Sequence, residues 1–468
     1  MSSSKDDNWC NADFLALQGS DEEKEKEDDG KEGHDDDIQD FDAEKKYSLD
    51  GMENSYEYQE GQQELDESRE HLPPWMEYPA SQKSNPLVRL HNEIVDFCHM
   101  MEPTAEELVE RNMWISKFRV IALDCFHNKC EIEVFGSQYT GLLLPTSDID
   151  IVIMLQEDDK KKNVQESMNK SSNEKASKDL DAAGKDSTEW SFSESQTSPL
   201  HRLASAIRDA WLEDLDYLDI IENTPVPLVK LTTTAGLSID ICFNQENGPQ
   251  AARLMSTYLK AMPPLRPLTF VLKYFLASRG LNEPYSGGIG SYLLQLMIVS
   301  FLQHRERESY NFGYPSVYNL GCLLMEFLQL YGVQLNYFTT GISVRHDGAY
   351  FPKGSREKVQ FFYDAARPFS LAVENPLDPT MNVGKSSFRI EVIQRSMEIA
   401  YLLLLSFVAE PIQPTPSILG TILPSSPEME LRARKSKGKS RPSRSEKLSR
   451  QNEEYRAVSP THKRQRRH

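Results

Sequence analysis

FGSQYTGLLLPTSDIDIVIM (residues 135–154) is the stretch whose reading decides the fold. Asp148 and Asp150 alternate with Ile149 and Ile151 inside an apolar, β-branched run. Such a run reads as a strand, and its period of two puts both carboxylates on one face. Two acids side by side on a mostly buried strand repel one another and resist desolvation, so they call for a compensating positive charge. A divalent metal with hard oxygen ligands, Mg²⁺ or Mn²⁺, fits that need. Upstream, Gly136 allows close backbone approach to a ligand, and Ser137 adds a hydroxyl in a turn whose amides can face a phosphate. Asp-x-Asp alone reads as a solvated turn. Gly-Ser, ten residues and then Asp-x-Asp within strand residues is far more specific.

A third acid stands in Leu237-Ser238-Ile239-Asp240-Ile241-Cys242-Phe243, again flanked by apolar strand residues. A lone Asp there would bury an unpaired charge at considerable cost. Asp216, Asp219 and Glu222 read instead as solvated positions around a strand edge. Further on, Pro284-Tyr285-Ser286-Gly287-Gly288-Ile289-Gly290-Ser291-Tyr292 is a Gly-rich segment opening a helix, where amides and the Ser291 hydroxyl suit anionic oxygens.

In this order the motifs resemble the signature of the DNA-polymerase-β-type nucleotidyltransferases. More narrowly, they are similar to the noncanonical poly(A) polymerases of the topoisomerase-related-function group, the polymerase subunit of TRAMP-type complexes. The resemblance covers roughly residues 85–410. It implies an α+β fold, with a small mixed-sheet catalytic domain and a mainly helical central domain. It implies Asp148, Asp150 and Asp240 as catalytic, metal-holding residues of a two-metal site. Gly136, Ser137, Lys273, Ser291, Tyr292 and Asn382 are implied as nucleotide-binding, Lys273 toward the triphosphate and Tyr292 stacked on the base. The implied reaction is untemplated addition of AMP from ATP to RNA 3′ ends. Its implied setting is nuclear RNA surveillance, the nucleolus included, beside zinc-knuckle RNA-binding and helicase subunits. Uridylyl-transferring relatives often carry a histidine in the loop equivalent to Glu374–Arg389; none occurs there, which favours ATP. Met381 before Asn382 departs from relatives with two amide or acid residues ahead of Val-Gly. A terminal uridylyltransferase, or a silent scaffold binding RNA or a helicase, are the alternatives.

The formal net charge of −20 hides strong local bias. Asp, Glu and Lys dominate residues 20–45, whereas residues 432–468 are rich in Lys and Arg. The division expected is an acidic disordered tail (1–80), helices packing with the central domain (81–130), and a catalytic domain (131–248) with a disordered insertion (156–198). A helical central domain (249–410) and a basic disordered tail (411–468) complete it, the latter a nuclear signal or RNA contact. Six scattered cysteines suggest no disulfide framework. Cys125 and Cys130 flank His127 without a second ligand pair, so packing is the better reading than zinc. No signal segment is evident, and Tyr401–Leu405 is too short to span a membrane, so a soluble intracellular protein is expected.

Overall fold

The computed structural model describes residues 72–76, 85–156, 198–224, 226–312, 318–409 and 415–436. The expected acidic stretch 20–45, the insertion beyond Gln156 and the basic run Lys463–Arg467 lie outside these residues.

Helix α1 (Pro86–Met101) is capped by the Asn85 side chain and carries proline in its first turn. Helix α2 (Ala105–Cys125) opens with a capping box at Thr104 and Glu107: Glu107 N donates to Thr104 Oγ1 at 3.2 Å, and Thr104 N to Glu107 Oε2 at 2.8 Å. Strand β1 (Cys130–Phe135) leads into the short helix α3 (Gly136–Thr140), and β2 (Ile149–Leu155) follows. Helix α4 (Pro199–Ala210) precedes three strands, β3 (Leu215–Ile221), β4 (Leu228–Thr233) and β5 (Ser238–Phe243). Together they form a mixed five-stranded sheet in the order β1-β2-β5-β4-β3, with only β2 and β5 parallel. Strand β3, which carries Asp216 and Asp219, forms the outer edge beside β4, and both acids are exposed.

The period of two divides the sheet cleanly. Ile149, Ile151, Ile153, Val229, Leu231, Ile239 and Ile241 are buried on one face, against Trp114, Phe118 and Ala122 of α2 and Leu203 and Ile207 of α4. Helix α2 therefore belongs to the sheet domain. This corrects the expectation that residues 81–130 pack as one unit with the central domain: only α1 does, because its Leu90, Ile94 and Phe97 stripe meets helical neighbours.

The helical body comprises α5 (Asn247–Ala261), α6 (Leu265–Ala277), α7 (Ser291–Phe312), α8 (Leu320–Gln329) with a π turn after it, and α9 (Ile390–Ala409). Two small hairpins, β6 (Thr340–Ser343) with β7 (Ala349–Pro352) and β8 (Glu374–Asn375) with β9 (Asp378–Asn382), decorate it. Over an 18-residue window α9 is long and apolar enough to cross a membrane, with mean hydropathy 1.5; counting only the unbroken run 401–405 understated it. Its Ile393, Met397, Ala400 and Leu404 are buried in the helical core.

Two segments assigned to tails belong to the core. Trp75 is buried and packs edge-on to Phe97, with ring centroids 5.4 Å apart. Residues 415–436 return across α1 through a turn at Leu419–Thr421 and helix α10 (Pro427–Ser436), burying Ile418, Leu419, Ile422, Leu423 and Met429. Ile418, Leu419, Ile422 and Leu423 form an i, i+1, i+4, i+5 apolar stripe that the surrounding Pro and Ser obscured. Arg432, counted with the basic tail, is instead a lock: it donates to the carbonyls of Met100 and Glu102 at 2.9 Å and pairs with Glu107.

The buried Glu93 carboxylate holds the returning segment through Ser417 Oγ at 2.6 Å and the amides of Ile418 and Leu419 at 3.1 and 2.8 Å. Glu93→Leu strands all three donors inside the protein. It is expected to destabilise the fold by about 2–4 kcal/mol in urea titrations. An unchanged midpoint would mean that the segment contributes nothing to the core.

Candidate active site

The polar face of the sheet opens toward the helical body. Across the register, Asp150 pairs with Asp240 and Asp240 with Lys230, so three adjacent strands present these side chains in one row. Asp148 sits just ahead of β2, two residues before Asp150 and hence on the same face. Lys230 Nζ donates to both Asp240 oxygens, at 3.1 and 3.2 Å, and lies 3.7 Å from Asp148 Oδ2.

Crowded acids in a poorly solvated place hold their protons. Burial, then the charges of Asp240 and Asp148, push the Asp150 carboxyl up from 3.8 to about 7. Burial also raises Asp240, with Lys230 opposing it. Desolvation pulls Lys230 down, but the Asp240 and Asp148 charges outweigh it and hold the ammonium above its ordinary value. Lys273 comes from α6 on the other wall; burial lowers its ammonium to about 8, against the pull of Asp150 and Asp148. Its Nζ donates to the Leu142 carbonyl at 3.1 Å.

Gly136 explains how the first motif serves the second. Its φ is +61°, and a Cβ built there would fall 2.0 Å from Asp150 Oδ2. The glycine thus leaves room for a carboxylate, beyond the close ligand approach first read from it. Behind the loop, the buried Arg111 of α2 donates to the Ser147 carbonyl and to Gln138 Oε1, bracing the chain that carries Asp148.

A cavity of about 540 Å³ runs between the two walls. Gly136, Ser137, Asp148, Asp150, Lys273, Ser291 and Tyr292 all line it. Asp240 stands beside Asp150 through the strand register. Ser291 begins the long helix α7, whose N-terminal end opens on the cavity and favours negative charge. Asn382 does not line the cavity. Its Oδ1 accepts from the amides of Val373 and Gly384, at 3.0 and 2.9 Å, and its Nδ2 reaches the Leu371 carbonyl. It shapes the loop, and the cavity wall here is formed by its neighbours.

Those neighbours are Asn375, Leu377 and Met381 of the β8–β9 hairpin, which line the cavity. Tyr292 Oη donates to Asn375 Oδ1 at 3.2 Å, and Asn375 Nδ2 faces the Met381 sulfur at 3.5 Å. Sequence reasoning passed over Asn375 and Lys230. The only signal for Lys230 was a charge in an otherwise apolar strand, and its meaning depends on the register with Asp240.

The donor set fits divalent cations. Asp148 and Asp150 stand beside Asp240 of the adjacent strand, their charge is only partly met by Lys230, and carboxylates are hard oxygen donors. Among the described residues no three acid, His or Cys side chains are already gathered around one point. Asp148, Asp150 and Asp240 would hold the ions.

Comparison with known proteins agrees with this architecture. Residues 90–260 match the family model for the central palm domain of mitochondrial-like poly(A) RNA polymerase, and residues 319–381 match that for Cid1-family poly(A) polymerases. Poly(A) RNA polymerase CID14 of Cryptococcus neoformans is 32% identical over 71% of this chain; the chain spans 38% of that relative's length. The inactive non-canonical poly(A) RNA polymerase Trf4-2 of Drosophila melanogaster is 29% identical over 69% of this chain and 70% of its own. Among solved structures, the polymerase core of TRAMP, an RNA surveillance complex, superposes with a TM-score of 0.59 at 28% identity. That match covers 75% of this chain and 99% of the other. With a palm sheet carrying three acids, a helical body facing it and both family models matched in order, the chain belongs to the noncanonical poly(A) polymerases of the DNA-polymerase-β-type nucleotidyltransferase superfamily.

Proposed function

We propose that the protein is a template-independent RNA 3′-terminal adenylyltransferase that uses ATP and two divalent metal ions in nuclear RNA surveillance. The observation that carries this reading is Asp148 and Asp150 facing Lys273 and Tyr292 across one cavity, with Asp240 next to Asp150 in the strand register. Metal ions bound there supply charge for the α-phosphate and pyrophosphate oxygens and lower the pKa of the attacking 3′-hydroxyl. The chain's own groups do the rest. Ser137, Lys273 and the α7 N-terminus receive the phosphates, and Tyr292, steadied by Asn375, offers an aromatic face to a base. Stacking suits any base, so choice falls to the β8–β9 hairpin, where Met381 and Asn375 stand and no histidine does. The similarity to the polymerase core of TRAMP, an RNA surveillance complex, supports an RNA substrate; the nuclear setting and the zinc-knuckle and helicase partners are part of the proposal.

The test is extension of a labelled RNA with each nucleotide in turn, with Mg²⁺ or Mn²⁺, beside the Asp148→Ala/Asp150→Ala double variant. ATP-dependent extension lost in the variant supports the reading. Extension mainly with UTP replaces it by uridylyl transfer. No extension, even with nuclear extract added, points to a scaffold.

A further inference from the structure

The carboxylate row contains a cation of its own. Both oxygens of Asp240 and one of Asp148 converge on a single point, the ammonium of Lys230. Lys273, the other ammonium facing the acids, is engaged with the Leu142 carbonyl instead. Asp150 lacks such a partner and carries the burden of its neighbours' charge. Lys230 reaches the row from the next strand, and its side chain keeps 36% exposure, so the four-carbon stem is free to swing.

We infer that Lys230 is a displaceable resident cation: its ammonium holds Asp148 and Asp240 together in the metal-free protein, and a divalent ion takes Asp240 only by driving that ammonium out. The inference rests on the metal reading of the site above. An ion coordinating these oxygens needs contacts of about 2.0–2.1 Å. An ammonium hydrogen-bonded to the same two oxygens takes up a lone pair on each and repels the incoming charge. Entry of the metal therefore means exchange of one cation for another, and it liberates a mobile positive charge at the edge of the cavity. A plain cross-strand ion pair would behave oppositely. Its loss would let the acids splay apart and leave metal affinity unchanged or weaker.

Mn²⁺ binding to the full chain, followed by electron paramagnetic resonance without nucleotide at mildly alkaline pH, distinguishes the two. Lys230→Met keeps the stem and removes the charge. It is expected to bind Mn²⁺ roughly tenfold more tightly, or better, than the wild type, since the competing cation is gone. Equal or weaker binding by the variant, with the wild type still binding, overturns the inference and leaves the metal reading intact. Absence of binding by both overturns both. Should Lys230→Met fail to fold, reductive methylation of the wild type decides. Mn²⁺ is expected to speed modification of Lys230, read by mass spectrometry of its peptide, and an unchanged rate overturns the displacement.

Discussion

Asp150→Asn is expected to abolish AMP incorporation, roughly 10³-fold or more in kcat, and at the same time to raise the melting temperature of the metal-free protein. The two effects have one origin. The Asp150 carboxyl is held at about 7 instead of 3.8 by burial and by the adjacent acids, so its charged form is unfavourable in the folded state. The sign follows from linkage. Below about pH 4 the group is protonated in both folded and unfolded chains and contributes nothing. Between about 4 and 7 the unfolded chain releases the proton first, so this group costs stability as pH rises; above about 7 the full cost persists. Its size is on the order of 2–4 kcal/mol. Asparagine keeps the shape without the charge. The variant's melting curve should run above wild type at pH 8 in a chelator, and the gap should close near pH 4. A variant that melts lower at both would show that the acids stabilise the fold. Added Mn²⁺ should stabilise the wild type and not the variant.

Gly136→Ala should be nearly as damaging to activity, with a loss of roughly 100-fold or more. The added Cβ would lie 2.0 Å from Asp150 Oδ2 and 2.8 Å from its Cγ, at a φ of +61° that already strains any L side chain. The carboxylate must turn away or the turn must shift, and either move spoils the alignment with Asp240. Gly141→Ala is the matched control. Its φ is +72°, so the backbone strain is comparable, but its Cβ would meet only the Arg266 guanidinium at 3.5 Å. It should cost about 1 kcal/mol of stability and leave AMP incorporation within a few-fold of wild type. If both variants lose activity equally, strain in the loop, and not room for the carboxylate, is what Gly136 protects.

What the sequence disclosed was set by local pattern. Asp148, Asp150 and Asp240 were legible because acids in β-branched runs violate the usual burial rule, and the capping box at Thr104 is a local motif. What stayed hidden depends on partners distant in the chain. Lys230 is an unremarkable strand lysine until β4 is laid against β5, and the loop-shaping role of Asn382 shows only once Val373 and Gly384 are seen to use its oxygen. Glu93 and residues 417–419 acquire meaning only from one another. Strand β3 was obscured by its acids, since an edge strand tolerates Asp on its exposed side.

The clasp between Glu93 and Leu419 joins residues 326 apart in the chain. It encloses the whole sheet domain, from α2 to β5, as an excursion within the helical body. The sheet and its two covering helices can therefore complete their contacts while synthesis continues. The helical body must wait, with α1 unpaired on one side, until residues past 430 have left the ribosome. A nascent chain arrested before that point should carry a protease-resistant sheet domain and a cleavable α1. In this chain, order of synthesis becomes order of assembly: the acids are in place before the wall that faces them.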